Sequence, residues 1–357
     1  MSSSVLTGTI QLDASDVEFH YEDSGTAALK DPATYTTLVC IPGWSFNGSV
    51  FRSLFPCAGD SNYRIVGLYR RGYPPTTAWK ETEPNPLDKD QQEEFLKQEA
   101  LQLAGFLTKF ATSQAIPKIN EEQKTGGIVV LGWSLGASYL HSLLAYLDVL
   151  PADQLKDLET YLYAVVSHDT NLSAHGLPDP IAGDFGSQLD PVERFEYFMT
   201  LVTGYYTHPN VQSHNLDDLE FTPTPNLGAS HDDLGGQEYV GMTSIDMFTG
   251  PDLSRILIGR ELLEALTRRA LFDVTLAQKL PRVRVRYICG GQTMGNLIHA
   301  MHKLEEAWNG DPSQLFGEGA TKARDARFTY LEWGNHFSFR DDPRRALQNY
   351  KTCVEQD

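Results

Sequence analysis

The chain has 357 residues, of which 41% are hydrophobic, so it can bury a large core without disulfides or a structural metal. Its formal net charge of −18 disfavours nucleic acid and anionic membranes as partners, because a binder must neutralise phosphates, and favours neutral or cationic small molecules. The absence of a secretory signal pattern and of any run of about 18 apolar residues predicts a cytoplasmic protein without a membrane-spanning segment.

The first third of the chain alternates predicted strands and helices. Apolar and polar residues alternate over residues 5–23, which predicts an antiparallel hairpin at a sheet edge. Strands are predicted near 35–41 and 63–69 with a short helix near 50–55, and apolar residues at helical spacing follow over 88–110. This alternation predicts an α/β fold with a mostly parallel sheet covered on both faces.

The next predicted strand, residues 127–131, leads into Gly132-Trp133-Ser134-Leu135-Gly136 and then into a helix-forming segment. A sharp turn from strand to helix needs glycine on both sides of the serine, because larger side chains would collide with neighbouring backbone. The pattern therefore predicts a nucleophile elbow that exposes Ser134 beside a helix N-terminus. The alternative is a glycine-rich turn whose serine has no function.

The pattern changes after a further predicted strand at 160–169. Residues 172–278 contain clusters of Gly, Pro, Asp and Asn and no alternation of strands and helices, which predicts an inserted, mainly helical cap. The chain returns to the sheet near 283–289. The core domain is therefore predicted to comprise residues 1–171 and 279–357.

The densest basic feature of the sequence lies in this returning strand. Arg282, Arg284 and Arg286 alternate with apolar residues. Side chains two positions apart lie on the same face of a strand, so we expect these arginines on a solvated face rather than in a polyanion-binding patch.

Several motifs together resemble the α/β-hydrolase superfamily. Besides the elbow, Pro42-Gly43-Trp44-Ser45 is similar to the loop that supplies an oxyanion-hole N–H in that superfamily, and residues 70–74 are similar to its Arg-Gly turn. Asn335-His336-Phe337, after a predicted strand at 326–333, resembles its catalytic-histidine segment. Pro42 stands where histidine is usual, but a backbone amide is the donor, so the hole does not depend on that side chain.

A narrower resemblance is to a fungal group of α/β-hydrolases, whose members often accompany secondary-metabolite pathways. The shared sequence motifs are PGWS, GWSLG, RRGYPP, the Gly-Tyr-Tyr-x-His segment at 204–208, and NHF followed by Asp-Asp-Pro. This resemblance implies a small metabolite as the partner of the protein.

The superfamily resemblance implies a catalytic triad. Ser134 would be the nucleophile, and His336 the base that removes its proton, the alternative being a surface histidine without function. The strand near 283–289 is followed by residues 290–295, which lack the carboxylate that is usual there. Asp169 occupies a second placement known in the superfamily and is the predicted acid, although it could instead cap local backbone N–H groups.

The oxyanion hole is expected to use the backbone N–H groups of Trp44 and Leu135, unless the first of these only closes a tight loop. Such an enzyme would hydrolyse a carboxylic ester, lactone or thioester of a small, largely apolar metabolite through an acyl-serine intermediate. Epoxide and haloalkane hydrolysis are disfavoured, because both need a carboxylate at the elbow in this superfamily. A lyase, cyclase or isomerase that uses the same pocket, and a non-catalytic ligand-binding protein, remain alternatives.

No metal-ligand spacing and no phosphate- or dinucleotide-binding fingerprint occurs in the sequence, so we expect neither a cofactor nor a metal.

Overall fold

An eight-stranded sheet with the strand order β1-β2-β4-β3-β5-β6-β7-β8 organises the structure, which is a computed structural model. The structure describes residues 5–13, 15–179, 188–232 and 236–356. The strands are β1 (Leu6–Gln11), β2 (Glu18–Asp23), β3 (Thr36–Ile41), β4 (Tyr63–Leu68), β5 (Ile128–Trp133), β6 (Leu162–His168), β7 (Arg284–Gly290) and β8 (Asp325–Leu331). Strands β3 to β8 pair in parallel, whereas β1 and β2 form an antiparallel edge that joins β4.

The mostly parallel α/β architecture predicted from the sequence is confirmed. The hairpin predicted over residues 5–23 is present as β1 and β2, and Ala14 of its turn lies outside the described residues. Strands β3, β4, β5 and β6 are buried along their whole length. Since successive side chains of a strand point to opposite faces, this burial means that both faces of the sheet are covered.

Helices connect the parallel strands. Before β6 they are α1 (Ala58–Ser61), α2 (Gln92–Ser113), α3 (Gly136–Ala145) and α4 (Ala152–Tyr161). Between β6 and β7 they are α5 (Pro191–Thr203), α6 (Gly236–Met242), α7 (Ile245–Thr249), α8 (Pro251–Ile256), α9 (Arg260–Phe272) and α10 (Val274–Ala277). After β7 they are α11 (Gly295–Asn309), α12 (Ser313–Phe316), α13 (Ser338–Asp341) and α14 (Pro343–Glu355). In the described part of the chain, no helix combines the length and hydropathy needed to cross a bilayer.

Within the described ranges, three segments are 3₁₀-helices, namely Gly48–Cys57, Ser173–His175 and Leu216–Asp218. The first of them stands where the sequence predicts a helix near 50–55. It packs tightly on β4, because a Cβ at Gly48 would lie 2.4 Å from the carbonyl oxygen of Gly67. Pro56 also removes one backbone donor from this turn.

The β6–β7 segment, residues 169–283, contributes no strand to the sheet within its described residues. It contains the predicted insertion at 172–278, of which residues 180–187 and 233–235 lie outside the described ranges. Helix α5 begins with a capping box, in which Asp190 accepts from the N–H of Glu193 and the Glu193 side chain accepts from the N–H of Asp190.

The expectation of a solvated arginine face on β7 is wrong for Arg286. Its side chain is fully buried, and its Nε donates to the carbonyl oxygen of Cys353 at 2.9 Å. Carbonyl groups in the last turn of a helix lack intrahelical donors, so the guanidinium satisfies the end of α14. Its Nη2 pairs with Asp325 at 2.8 Å. Spacing along the strand predicted a shared face but not the helix end that covers it.

Candidate active site

Ser134 lies in a sharp turn between β5 and α3, with a φ of 55° that non-glycine residues seldom adopt. The glycines on either side have no room for a side chain. A Cβ at Gly132 would lie 2.6 Å from the Cα of Ala137, and one at Gly136 would lie 2.2 Å from the carbonyl oxygen of Ile41. This strand, strained turn and helix N-terminus form the arrangement expected of a nucleophile elbow.

Asp169 follows β6 and is bonded to His336. Its Oδ1 accepts from the Gly290 N–H at 2.9 Å, and its Oδ2 lies 3.1 Å from Nδ1 of His336. Burial would raise the pKa of Asp169, but His168 and the hydrogen bonds from His336 and Gly290 lower it further than burial raises it. Asp169 is therefore a carboxylate at neutral pH, which holds the proton of His336 on Nδ1 and leaves Nε2 able to accept another.

His168 links Asp169 to a buried tyrosine. Its Nε2 lies 3.9 Å from Oδ2 of Asp169, and its Nδ1 lies 2.9 Å from the Tyr350 hydroxyl. Burial lowers the pKa of His168 to about 4, although Asp169 acts in the opposite direction, and burial raises the pKa of Tyr350. Both side chains are therefore neutral at neutral pH. The carboxylate favours the tautomer with the proton on Nε2 of His168, so that Tyr350 donates to Nδ1.

The loop that carries His336 follows β8 and is fixed from two sides. The indole Nε1 of Trp133 donates to the carbonyl oxygen of His336 at 2.9 Å, and the two ring centroids are 4.8 Å apart. The side-chain amide of Asn335 donates to the carbonyl oxygens of Thr203 and Gly204 at 2.8 and 3.2 Å. Trp133, which precedes Ser134, therefore holds this loop from one side, and the β6–β7 segment holds it from the other.

The predicted triad residues all follow the carboxyl ends of parallel strands, namely β5, β6 and β8. Trp133 and His168 are paired in the register of β5 and β6, so Ser134 and Asp169 follow adjacent strands. The Ser134 N–H also donates to the carbonyl oxygen of His168 at 2.9 Å. Among the described residues, no hydrogen bond joins the Ser134 hydroxyl to His336. Such contacts are often long in ligand-free active sites and shorten when substrate binds.

The two predicted oxyanion-hole residues face the same cavity as Ser134. The carbonyl oxygen of Gly43 accepts from Nη2 of Arg70 at 2.7 Å. Because the C=O and N–H of a trans peptide point in opposite directions, this bond turns the Trp44 N–H away from Arg70. Within the described ranges, the N–H groups of Trp44 and Leu135 have no hydrogen-bond acceptor. Neither N–H group is therefore engaged by another described residue, as the prediction of an oxyanion hole requires.

A buried ion pair anchors the 43–45 loop. The Nη1 and Nη2 atoms of Arg70 donate to the two carboxylate oxygens of Asp252 at 2.5 and 2.8 Å. Asp252 also accepts from the N–H of Ser45 at 2.9 Å and from the hydroxyl of Tyr73 at 2.5 Å. Since Asp252 belongs to α8, the β6–β7 segment supplies the anchor of a loop that lies beside the nucleophile. Sequence reasoning missed this residue.

A cavity of about 200 Å³ opens beside Ser134. Its apolar lining comes mostly from the β6–β7 segment and includes Phe198, Val202, Leu253, Ile256, Leu257 and Leu263. Arg194, Arg255 and Asn296 also line it, whereas His336 and Asp169 are not among the lining residues. No sequence pattern indicated Arg194 or Arg255, because long-range contacts determine which side chains of the β6–β7 segment line the cavity. No cluster of three or more His, Cys, Asp or Glu side chains that could hold a metal ion occurs within the described residues.

Solved structures similar to this chain share its whole length but little of its sequence. A bromoperoxidase from Bacillus anthracis is 12% identical with a TM-score of 0.52, and the match covers 98% of this chain and 100% of that one. Epoxide hydrolase I from potato, Solanum tuberosum, is 13% identical with a TM-score of 0.52, and the match covers 99% of both chains. A Vigna radiata epoxide hydrolase mutant is 12% identical with a TM-score of 0.53 and the same coverage.

No protein-family model and no curated protein matches the sequence. At such low identities a structural match establishes architecture and not activity, because one fold hosts many functions. The sheet order and these matches over nearly the whole chain show that the protein has the α/β-hydrolase fold.

Proposed function

We propose that the protein is a serine hydrolase that cleaves a carboxylic ester, lactone or thioester of a small metabolite through an acyl intermediate on Ser134. The observation that carries this proposal is the buried hydrogen bond between His336 and Asp169 next to the strained turn of Ser134. Residues 172–278 would act as the cap that shapes the substrate cavity. The mainly apolar cavity and the motifs shared with fungal secondary-metabolite hydrolases both favour a metabolite-sized substrate.

In the first half-reaction, the Ser134 hydroxyl attacks the acyl carbon while its proton passes to Nε2 of His336. The carboxylate of Asp169 stabilises the imidazolium that forms. The carbonyl oxygen becomes an oxyanion that accepts from the N–H groups of Leu135 and Trp44, each contributing about 3–4 kcal/mol to transition-state stabilisation. Collapse of this intermediate breaks the bond to the alcohol or thiol, which leaves with the proton held by His336.

In the second half-reaction, water attacks the acyl group on Ser134 and gives a proton to His336. The same two N–H groups stabilise the second oxyanion. Its collapse breaks the bond to the Ser134 oxygen, which regains the proton from His336, and the carboxylic acid is released.

Ser134 at the elbow favours acyl transfer over epoxide hydrolysis, the activity named for two of the similar structures. Epoxide opening in this superfamily uses a carboxylate nucleophile at the elbow, and here that position is Ser134. A serine hydroxyl activated by a histidine suits attack on an acyl carbon.

A fluorophosphonate probe tests the proposed nucleophile. We expect the protein to gain the mass of one phosphonyl group, with loss of fluoride and of the serine proton, and peptide mapping to place it on Ser134. Intact-mass spectrometry measures the reaction, and His336→Ala should slow it because the base is lost. An unmodified mass, under conditions that fully label a known serine hydrolase, would contradict acyl catalysis and favour a lyase or isomerase.

Replacing Asp252 by asparagine tests the anchor of the 43–45 loop. The change leaves the buried Arg70 without a counter-charge, so we expect the free energy of unfolding in urea to fall by about 3–5 kcal/mol. The loop that carries Trp44 should loosen, and kcat for an activated ester should fall about 10- to 100-fold at a temperature where the protein is folded.

The matched control is Asp23→Asn, which breaks a second buried ion pair, with Arg64, away from this loop. It should cost a comparable free energy of unfolding while kcat stays within about threefold of the wild type. An equal loss of kcat in both variants would assign the effect to general destabilisation rather than to the position of Trp44.

A further inference from the structure

The cavity beside Ser134 differs in charge from the rest of the protein. The whole chain has a net charge of −18, yet two arginines and no carboxylate are found among the residues described as lining this cavity. The net charge predicted a preference for neutral or cationic small molecules. A ligand in the cavity, however, meets the nearest charged groups first, and the Arg255 side chain lines the cavity whereas that of its ion-pair partner Glu99 does not.

Arg255 is held in the cavity wall by a buried ion pair. Its side chain is 3% exposed, and its Nε lies 3.2 and 3.1 Å from the two carboxylate oxygens of Glu99. Glu99 belongs to α2, and Ser142 of α3 donates to the same carboxylate at 3.3 Å. These contacts hold the guanidinium through Nε alone, and neither terminal nitrogen donates to Glu99.

The terminal nitrogens of Arg255 have no acceptor among the described residues. Its Nη2 is buried without a hydrogen-bond partner, and no hydrogen bond from its Nη1 occurs in the described ranges either. Arg70 provides the comparison, because both of its terminal nitrogens donate to Asp252, and one also donates to Gly43. Buried guanidinium N–H groups normally have acceptors, so the edge of Arg255 formed by Nη1 and Nη2 is suited to an acceptor on a ligand.

We propose that the substrate carries a carboxylate, which binds the Nη groups of Arg255 while Ser134 attacks the ester; this inference rests on the proposed function. A carboxylate presents two oxygens whose spacing matches the two parallel donors of a guanidinium. The apolar residues Leu253 and Leu263, which line the same cavity, would contact the carbon chain between the carboxylate and the ester. An ester without the carboxylate leaves the donors of Arg255 unpaired, and the site therefore selects against it.

Two activated esters test this selectivity in the wild-type protein. They are the mono-4-nitrophenyl ester of adipic acid and the same molecule with its free carboxylate converted to a methyl ester. We expect kcat/KM for nitrophenol release to be at least about tenfold higher for the free carboxylate. Equal values for the two esters would overturn the inference while leaving the hydrolase proposal intact.

Substitution of Arg255 connects the selectivity to this side chain. Arg255→Met should reduce the ratio of the two kcat/KM values at least about tenfold, and Arg255→Lys should give an intermediate ratio because it keeps the charge but not the paired donors. If Arg255→Met does not fold, the double variant Glu99→Gln/Arg255→Met removes both charges of the pair. Arg64→Met breaks another buried pair outside this cavity and should leave the ratio unchanged.

A binding measurement makes the two proposals separable. In a Ser134→Ala background, calorimetry should show hexanoate binding at least about tenfold more tightly than hexanamide, and Arg255→Met should abolish the difference. Arg255-dependent binding of hexanoate without turnover of either ester would refute the hydrolase proposal and support the carboxylate site. Turnover of both esters with no preference for hexanoate would refute the carboxylate site alone.

Discussion

Replacing Ser134 by alanine is expected to lower kcat for an activated ester by about 10⁵- to 10⁶-fold, because the acyl intermediate can then no longer form. Ser138 also lines the cavity, but its hydroxyl donates to the carbonyl oxygen of Leu135 within the first turn of α3 at 2.7 Å. It is therefore not placed to substitute for the serine of the strained turn. Burst and steady-state release of nitrophenol measure the effect.

The control for this variant is Ser53→Ala, which should leave kcat unchanged. It removes a partly buried hydroxyl that donates a hydrogen bond to the carbonyl oxygen of Phe339. A second test uses His336→Ala and the double variant Ser134→Ala/His336→Ala. Because a nucleophile and its base act as a unit, the double variant should be no slower than either single variant. Activity of Ser134→Ala within about tenfold of the wild type would contradict the acyl-serine route and favour the lyase, cyclase or isomerase alternative.

The parts of the fold and site that the sequence predicted are those determined by local physics. Strand β3 at Thr36–Ile41 lies within the predicted 35–41, because a buried parallel strand requires an apolar run that stands out in any sequence. The turn at Ser134 was predictable because only glycine fits two residues before it and two residues after it, at Gly132 and Gly136. The proximity of Asp169 to Ser134 then follows from parallel pairing, since the carboxyl ends of adjacent strands meet at one edge.

The parts that the sequence did not predict depend on long-range contacts. Asp252 lies 182 residues from Arg70, and Arg255 lies 156 residues from Glu99. No spacing rule connects such positions, because the path of the β6–β7 segment over the sheet decides which side chains meet. Burial of Arg286 has the same origin, since the end of α14 covers a face that its strand pattern marks as solvated.

Replacing Asp169 by asparagine is expected to lower kcat about 10⁴-fold, because the site then favours the wrong tautomer of His336. The Gly290 N–H donates to Oδ1 of Asp169, so an asparagine must keep its oxygen there. Its NH₂ group then takes the place of Oδ2 and donates to Nδ1 of His336. The ring proton moves to Nε2, which can no longer accept the proton of Ser134.

This variant also separates catalysis from the structural alternative for Asp169. An asparagine retains the bond from Gly290 and fills the same volume, so if Asp169 served only to cap backbone N–H groups, kcat would stay within about tenfold of the wild type. Near-UV circular dichroism and urea unfolding establish whether the variant is folded, and single-turnover acylation locates the loss. A slow acylation step in a folded protein would show that the carboxylate acts through His336, since Asp169 is hydrogen-bonded to that ring and is not among the residues that line the cavity.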